Sequence, residues 1–285
     1  MQILTTNGWN GYELLDSGDG YRLERFGDYT ISKPDPQAIW QRSLSKSHWE
    51  KADAVFEKNE GNERWVTNRE IPEKWLLEYK NIAFFAKLTP FKHTGIFPEQ
   101  HLNWDFITNS ITKSNRSVKV INLFGYTGIA SLVAAAAGAQ VTHVDASRPA
   151  IGWARENQEA SGLIDKPIRW ILDDVSKFVE REIRRGNSYD GIIMDPPVYG
   201  HGPNGEVWDF SKSFPELMKL CSEVLTATPL FMIVNAYAIS SSSLMLENVM
   251  RDYLKKGKVE VGELALQEKT SKRLLSTGIF ARWSA

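Results

Sequence analysis

The chain has 285 residues, 42% hydrophobic and 24% charged, with a formal net charge of −1 and one cysteine. That composition fits one large packed domain, or a large and a small one, and excludes a disordered chain, a disulfide framework and a cysteine-ligated metal site. The most apolar run, 131–144, is broken by Gly138, Gln140 and His143 and falls short of the roughly 18 apolar residues of a membrane span. The first residues lack the basic start and apolar core of a secretory leader, and a single Cys221 fits the cytoplasm. Near-neutral charge neither supports nor excludes nucleic acid as a partner.

In chain order, 12–16 and 21–26 alternate around Ser17-Gly-Asp-Gly20 and read as a β-hairpin. Residues 28–32 add a strand that Pro34 and Pro36 end, and 38–56 reads as helical in part. A small β-containing N-terminal domain is therefore expected over 1–60. A connector follows over 61–115, with 65–67 extended, 75–88 alternating in places, a loop with a glycine turn at 92–100 and a helix over 101–112. In that helix Leu102, Phe106, Ile107 and Ile111 recur at helical spacing.

From 116 to 285 strand and helix alternate. Strands are expected at 118–123, 140–145, 167–172, 189–194 and 230–235, and helices at 129–137, 148–161, 175–185, 214–225 and 243–254. Two last strands, 259–266 and 274–281, close the chain. Short apolar strands alternating with amphipathic helices specify a doubly wound α/β domain with a mostly parallel sheet. Ligands of such sheets sit beyond the carboxyl ends of the strands.

Four of those strand ends carry chemistry. After the first comes Asn122-Leu-Phe-Gly-Tyr-Thr-Gly128, a turn in which Gly125 and Gly128 permit tight bending and close ligand approach. It matches neither a GxGxxG fingerprint nor a phosphate loop, for no Lys-Ser/Thr follows Gly128. After the second comes Asp145-Ala146-Ser147. Asp145 either accepts the two hydroxyls of a ribose or, like Ser147, caps the next helix. After the third comes Asp173-Asp174-Val175. Asp174 foremost, then Asp173, is suited to accept from an adenine amino group, the alternative again being a helix cap. After the fourth comes Asp195-Pro196-Pro197-Val-Tyr199. Two prolines fix the backbone and remove two donors, leaving carbonyls to hold an exocyclic amine, with Tyr199 free to stack on a planar base.

Together, strand-NLFGYTG-helix, strand-VDAS-helix, ILDDV-helix and strand-MDPPVYG resemble class I S-adenosylmethionine-dependent methyltransferases. They are most similar to the bacterial family that methylates bases of large-subunit ribosomal RNA, in which an F-x-Y-T-G turn and a DPPxF/Y motif recur. The segment Lys92-His-Thr-Gly-Ile-Phe-Pro-Glu-Gln100 resembles that family's stretch ahead of the cofactor domain. The resemblance covers about residues 90–285. It implies a Rossmann-like seven-stranded sheet with a final antiparallel strand at 274–281, and S-adenosylmethionine as cofactor. It also implies that Phe97, Gln100 and the turn Asn122, Phe124, Gly125, Tyr126, Thr127 and Gly128 border that cofactor. Asp145, with Ala146 and Ser147, would take the ribose. Asp174, with Asp173 and Val175, would take the adenine, and Asp195 the methionine end or the acceptor.

Members that methylate C5 of cytosine carry a cysteine after the fifth strand, because that chemistry needs a thiolate. Here 234–239 reads Val-Asn-Ala-Tyr-Ala-Ile, and Cys221 falls on the preceding helix as a core residue. Methylation of a nitrogen on an RNA base, ribosomal RNA above all, is the expected activity. It would use Asp195, Pro196, Pro197, Tyr199 and Asn235, the last of which reads equally as a strand-end turn residue. A protein side chain, a small metabolite or a non-catalytic binding module are the alternatives. No RNA-binding module of the PUA type is evident in 1–60. Lys269, Lys272 and Arg273, in the turn 268–273, either touch phosphates or form a solvated turn. Trp208 reads as core or as a stacking lid. The histidines show no metal spacing, so no metal is expected.

Overall fold

Strands buried on both faces are largely apolar rather than alternating, and the central strands of the second half of the chain follow that pattern. The computed structural model describes residues 1–59, 62–237 and 241–285. In chain order the strands are β1 (Gln2–Thr6), β2 (Tyr12–Gly18), β3 (Tyr21–Phe26), β4 (Tyr29–Pro34), β5 (Ala54–Asn59), β6 (Asn62–Thr67), β7 (Trp75–Tyr79), β8 (Ile82–Ala86), β9 (Lys119–Leu123), β10 (Gln140–Asp145), β11 (Ile168–Leu172), β12 (Gly191–Met194), β13 (Tyr199–His201), β14 (Val207–Asp209), β15 (Phe231–Ala236), β16 (Lys258–Gln267) and β17 (Leu274–Ser284). The helices are α1 (Lys46–Trp49), α2 (His101–Ser114), α3 (Ile129–Ala136), α4 (Arg148–Ala160), α5 (Val175–Arg184), α6 (Phe210–Glu223) and α7 (Ser243–Tyr253).

Two compact units result. Met1–Leu4, His101–Leu264 and Gly278–Ala285 form the first; Thr5–Gln100 and Ala265–Thr277 form the second. The breaks expected near 60 and 115 therefore differ from those observed. Helix α2 packs on α3 within the first unit, and residues 60 and 61 lie outside the described residues.

The first unit holds an eight-stranded sheet in the order β1-β16-β17-β15-β12-β9-β10-β11. The ladders joining β11, β10, β9, β12 and β15 are parallel, and β17 runs antiparallel to β15. The seven expected strands are all present, and β1 adds an edge strand beside β16. The helices pack as two groups, α2-α3-α4 and α5-α6-α7, as a doubly wound sheet requires. The strand order reverses between β9 and β12, which is where such sheets bind ligands. On the α5–α7 side Ile121, Met194, Phe178, Phe214, Leu217 and Met232 join one apolar core. Helix α6 begins at Phe210, four residues before the expected start, because Asp209 caps it by accepting from the Lys212 N–H at 3.3 Å.

In the second unit β2-β3-β4-β5-β6 form one sheet and β7-β8 another. The expected hairpin is present. Asp19 and Gly20 both have positive φ (52° and 78°), the two-residue geometry whose twist matches the strands it joins. Residues 38–56 are helical in part, as expected, through α1 alone. Asp16, fully buried, holds this stretch in an irregular path by accepting from the backbone N–H of Ser43 and Leu44 and from the Trp49 indole. Phe56 lies in β5, its ring edge-on to Trp65 of β6 at 5.2 Å.

The same unit buries charge. Glu24 is fully buried, accepts from the Tyr12 hydroxyl at 2.8 Å and pairs with Lys33 at 2.9 Å and Arg22 at 3.3 Å. Burial alone would raise the Glu24 pKa, yet Arg22 and Lys33 hold it below the usual range. Burial, reinforced by Arg22, lowers Lys33 to about 8. Removing one partner of a buried pair leaves the others without counter-charge. Glu24→Gln is therefore expected to destabilise the protein by about 3–5 kcal/mol, read from the urea midpoint followed by tryptophan fluorescence.

Candidate active site

The tips of five strands meet in one row. Leu123 pairs with Val144 on one side and Met194 on the other, and Met194 pairs with Val234. The next residue of each strand therefore comes level: Asp145, Phe124, Asp195 and Asn235. Beyond them, Leu172 pairs with Asp145, and the Asp173 N–H donates to the Asp145 carbonyl at 3.1 Å. The row thus reads Leu172, Asp145, Phe124, Asp195, Asn235 across β11, β10, β9, β12 and β15, with Asp173 one residue beyond it.

The turn after β9 is shaped by what lies beneath it. Phe124 and Tyr126 take left-handed φ of 55° and 49°, and Gly128, at 79°, leads into α3. A Cβ on Gly125 would lie 2.3 Å from the His143 ring, and one on Gly128 2.8 Å from the Ala154 Cβ. Both positions exclude a side chain. His143 is fully buried and its pKa falls to about 3 through burial, so the ring is neutral. It shares the Ser131 hydroxyl with Asn122: the Asn122 amide donates to Ser131 Oγ at 2.9 Å, and His143 Nδ1 lies 3.0 Å from the same oxygen. Asn122 is thereby a support beneath the turn.

Asp145 closes the turn from the side. Its Oδ2 accepts from the Tyr126 N–H and its Oδ1 from the Ser147 N–H, both at 2.8 Å. Burial raises its pKa, and the N–H groups of Ser147, Tyr126 and Ala146 offset part of the rise. Ser147 caps α4, its hydroxyl accepting from Ala150. Asp174 caps α5 through Oδ1, which accepts from the Lys177 N–H at 2.9 Å, and Val175 is the buried first residue of that helix. Asp173 is taken up differently: one oxygen accepts from the Asp174 N–H and the other pairs with Arg181.

Asp195 stands apart from the other acids. It is half-buried, and among the described residues no cation or donor pairs with its carboxylate. Burial raises its pKa from 3.8 to about 6. Pro196 is buried and Pro197 exposed. The Pro197 carbonyl already accepts from the Trp208 indole at 2.7 Å, so it does not remain open as expected. Trp208 is itself buried, its ring edge-on to Phe124 at 4.9 Å. It ties the Asp-Pro-Pro segment to the first turn and is no exposed lid. Tyr199 is 58% exposed and packs edge-on against His201 on the small β13-β14 hairpin, so its face is available for stacking. Asn235 is buried, and its Oδ1 accepts from the Asn103 amide of α2 at 2.9 Å.

Phe97 and Gln100 belong to the second unit. A single 3₁₀ turn, Pro98–Gln100, follows Phe97, and the Gln100 N–H donates to the Phe97 carbonyl. The turn 268–273 also belongs to that unit and is sewn into it. Buried Glu268 bonds Ser17 and Ser271, Lys269 pairs with Glu13 at 2.8 Å, and Arg273 lies over Trp40. Two of its three cations are thus held by neighbours. Cys221 is fully buried, and burial raises its thiol pKa strongly. Among the described residues no three His, Cys, Asp or Glu side chains are grouped to hold a metal ion, and no helix is long and apolar enough to cross a membrane.

A doubly wound sheet with acids at adjacent strand tips around a glycine turn defines an adenosyl-cofactor-binding α/β enzyme. A family profile for S-adenosylmethionine-dependent methyltransferases matches residues 23–263, and the chain belongs to that family. Its cofactor is S-adenosylmethionine. A solved S-adenosylmethionine-dependent methyltransferase from Agrobacterium tumefaciens is 44% identical with a TM-score of 0.97, covering 100% of this chain and 93% of that one. The ribosomal RNA large subunit methyltransferase I of Aeromonas salmonicida is 27% identical over 216 residues, 69% of this chain and 54% of that protein. The ribosomal RNA large subunit methyltransferase K/L of Syntrophotalea carbinolica is 28% identical over 174 residues, 60% of this chain and 23% of that protein. The chain spans about half the length, or less, of these curated relatives.

Sequence reasoning missed Ser131, Asn103 and Trp208 as a tether. Only His143 left a sign, a polar residue inside an apolar strand.

An ionised Asp195 costs the folded state free energy, because its folded pKa lies above the unfolded value. Folding then binds a proton between pH 3.8 and about 6, so stability falls as pH rises through that window. Asp195→Asn removes the charge at equal size. It is expected to stabilise the protein at pH 7.5, by about 3 kcal/mol at most, and to leave stability unchanged at pH 4. Thermal melts at the two pH values test this, and equal shifts at both would contradict it.

Proposed function

We propose that the chain transfers the sulfonium methyl of S-adenosylmethionine to a nitrogen of an RNA base, with large-subunit ribosomal RNA as the substrate and the cytoplasm as its place of action. The observation that carries this is Asp195, an unpaired, half-buried carboxylate at the tip of the central strand, level with Asn235 and followed by two prolines. The absence of a usable thiol supports nitrogen over C5 of cytosine. Cys221 is fully buried, and 238–240, outside the described residues, reads Ala-Ile-Ser. An RNA acceptor is supported by the names of the relatives and by the exposed Tyr199.

The residues at the tips fit the cofactor's groups. Asp145 would accept from the ribose hydroxyls with the lone pairs its backbone donors leave. Asp174 would accept from the adenine amine through Oδ2, since Oδ1 serves the helix; Asp173 is less suited, both its oxygens being taken up. The turn 122–128 would lie against the cofactor. S-adenosylmethionine when bound supplies a methyl group already activated by the positive sulfur. The chain's work is then alignment and proton removal. Asp195 would accept a hydrogen bond from the acceptor amine and take its proton as the N–C bond forms. The Pro196 carbonyl would help orient that amine, Pro197 would hold the segment rigid, and Tyr199 would stack on the base.

The test is transfer of a labelled methyl from S-adenosylmethionine to an in vitro transcript of large-subunit ribosomal RNA, followed by nucleoside mapping. Label on a base nitrogen is expected. Label on cytosine C5, or in a protein fraction instead of RNA, would overturn the proposal. Turnover should fall as pH drops below about 6, where Asp195 gains its proton. Asp174→Ala should weaken calorimetric cofactor binding about tenfold, the loss of one charge-assisted hydrogen bond, while Asp173→Ala weakens it less.

A further inference from the structure

The chain after Asp195-Pro196-Pro197 turns at once into the β13-β14 hairpin, and strand pairing fixes what each face of it carries. Directly opposed residues of an antiparallel pair share a face, and neighbours along a strand alternate. Tyr199 pairs with Asp209, Gly200 with Trp208 and His201 with Val207. One face therefore carries Gly200 and Trp208, the other Tyr199, His201, Val207 and Asp209. The first is the anchored face: Trp208 is buried against Phe124 and donates to the Pro197 carbonyl. The loop end is held as well, since Glu206 pairs with Lys177 of α5 at 2.7 Å and accepts from the Asn204 N–H at 2.9 Å.

The second face is open. Val207 is 61% exposed, and Tyr199 and His201 are exposed beside it. Single exposed apolar residues are ordinary, but a phenol ring, an imidazole and a valine grouped on one pinned face next to a reacting centre form a contact surface. Its charge does not repel a phosphate chain: Glu206 and Asp209 each have a lysine beside them, Lys177 at 2.7 Å and Lys212 at 3.8 Å. The Tyr199 and His201 rings have centroids 5.3 Å apart and planes at 89°. A base lying flat on Tyr199 and a base lying flat on His201 therefore stand almost at right angles. Successive bases of a stacked strand lie nearly parallel, so one dinucleotide step cannot be both stacked and seated here.

We propose that this face docks the nucleotide adjoining the acceptor: Tyr199 stacks on the acceptor base, and His201 with Val207 takes the base next to it. The surface thereby selects an acceptor in a single-stranded, unstacked step, such as a loop or bulge, over one in a duplex. Its apolar character suits the flat side of a base rather than a phosphate. Its continuity with the Asp-Pro-Pro segment makes the adjoining nucleotide, not a remote one, its occupant. This rests on the preceding reading that the acceptor is an RNA base beside Asp195.

Exposed side chains can be changed without touching the core, so His201→Ala combined with Val207→Ser should leave the thermal midpoint and calorimetric S-adenosylmethionine affinity as in the wild type. In this double variant KM for the large-subunit ribosomal RNA transcript should rise at least about fivefold, the loss of one stacked base. An unchanged KM would overturn the proposal. Once mapping fixes the labelled nucleotide, single-stranded oligonucleotides spanning it complete a cycle. An abasic residue at one neighbouring position should weaken methylation by the wild type and cost the double variant nothing further; fully additive losses at both neighbours contradict the docking. Should the wild type leave the transcript unlabelled, the RNA reading of the reaction fails, and binding decides the surface alone. A fluorescein-labelled single-stranded RNA of about ten nucleotides should then bind the wild type at least about tenfold tighter than its duplex does, and the double variant should lose that preference. Equal affinity for the two forms, or a preference that the double variant keeps, rules the surface out.

Discussion

Parallel strands hydrogen-bonded in register hold their paired positions level, and that constraint decides where the candidate residues lie. Leu123 is paired on both sides, so the residue after it, and those after Val144, Met194 and Val234, fall in one row. A slip of one residue in any ladder would turn an acid from the crevice into the sheet. What keeps the row open is the turn after β9. There the His143 ring fills the space of a side chain at position 125, and Trp208 clamps Phe124 to the Pro197 carbonyl.

Given that row, environment separates acids that the sequence writes alike. Asp173 is neutralised by Arg181, Asp145 is satisfied by backbone N–H groups, and Asp174 is stabilised by the start of a helix. Asp195 has none of these, and burial alone acts on it. A carboxylate raised toward neutrality without a partner is suited to exchanging a proton, whereas the three satisfied ones are suited to holding hydroxyls or amines in place. The division of labour follows from partners rather than from residue type.

The alternation of apolar strands and amphipathic helices was legible from sequence because the central strands are buried on both faces and the helices on one. The tips were legible because small and acidic residues stood directly after those strands. The path of 38–56 was not, since it depends on Asp16, which lies more than twenty residues earlier and captures two backbone N–H groups and an indole. Nor was the tethering of Trp208, whose partners are set by a three-dimensional approach. The turn 268–273 looked like a free basic loop because Glu13 and Ser17, which hold it, are some 250 residues away in sequence. Local periodicity reports elements; polar side chains that reach across the chain leave no periodic trace.

Two groups in the first unit are buried with no ion-pair partner among the described residues, the Asp195 carboxylate and the Arg282 guanidinium, although Glu260 offsets part of the cost at Arg282. Desolvating an ion costs several kcal/mol even after relaxation, and a methionine in β17 would fill comparable space between Phe106 and Phe280 without that cost. Arg282 instead donates to Asn103, whose amide donates on to Asn235, a chain of amides that carries orientation rather than charge. A fold that needed only packing at this place gains nothing from such a chain. What the chain supplies is a fixed polarity, since a guanidinium can only donate and so holds the Asn103 oxygen toward it.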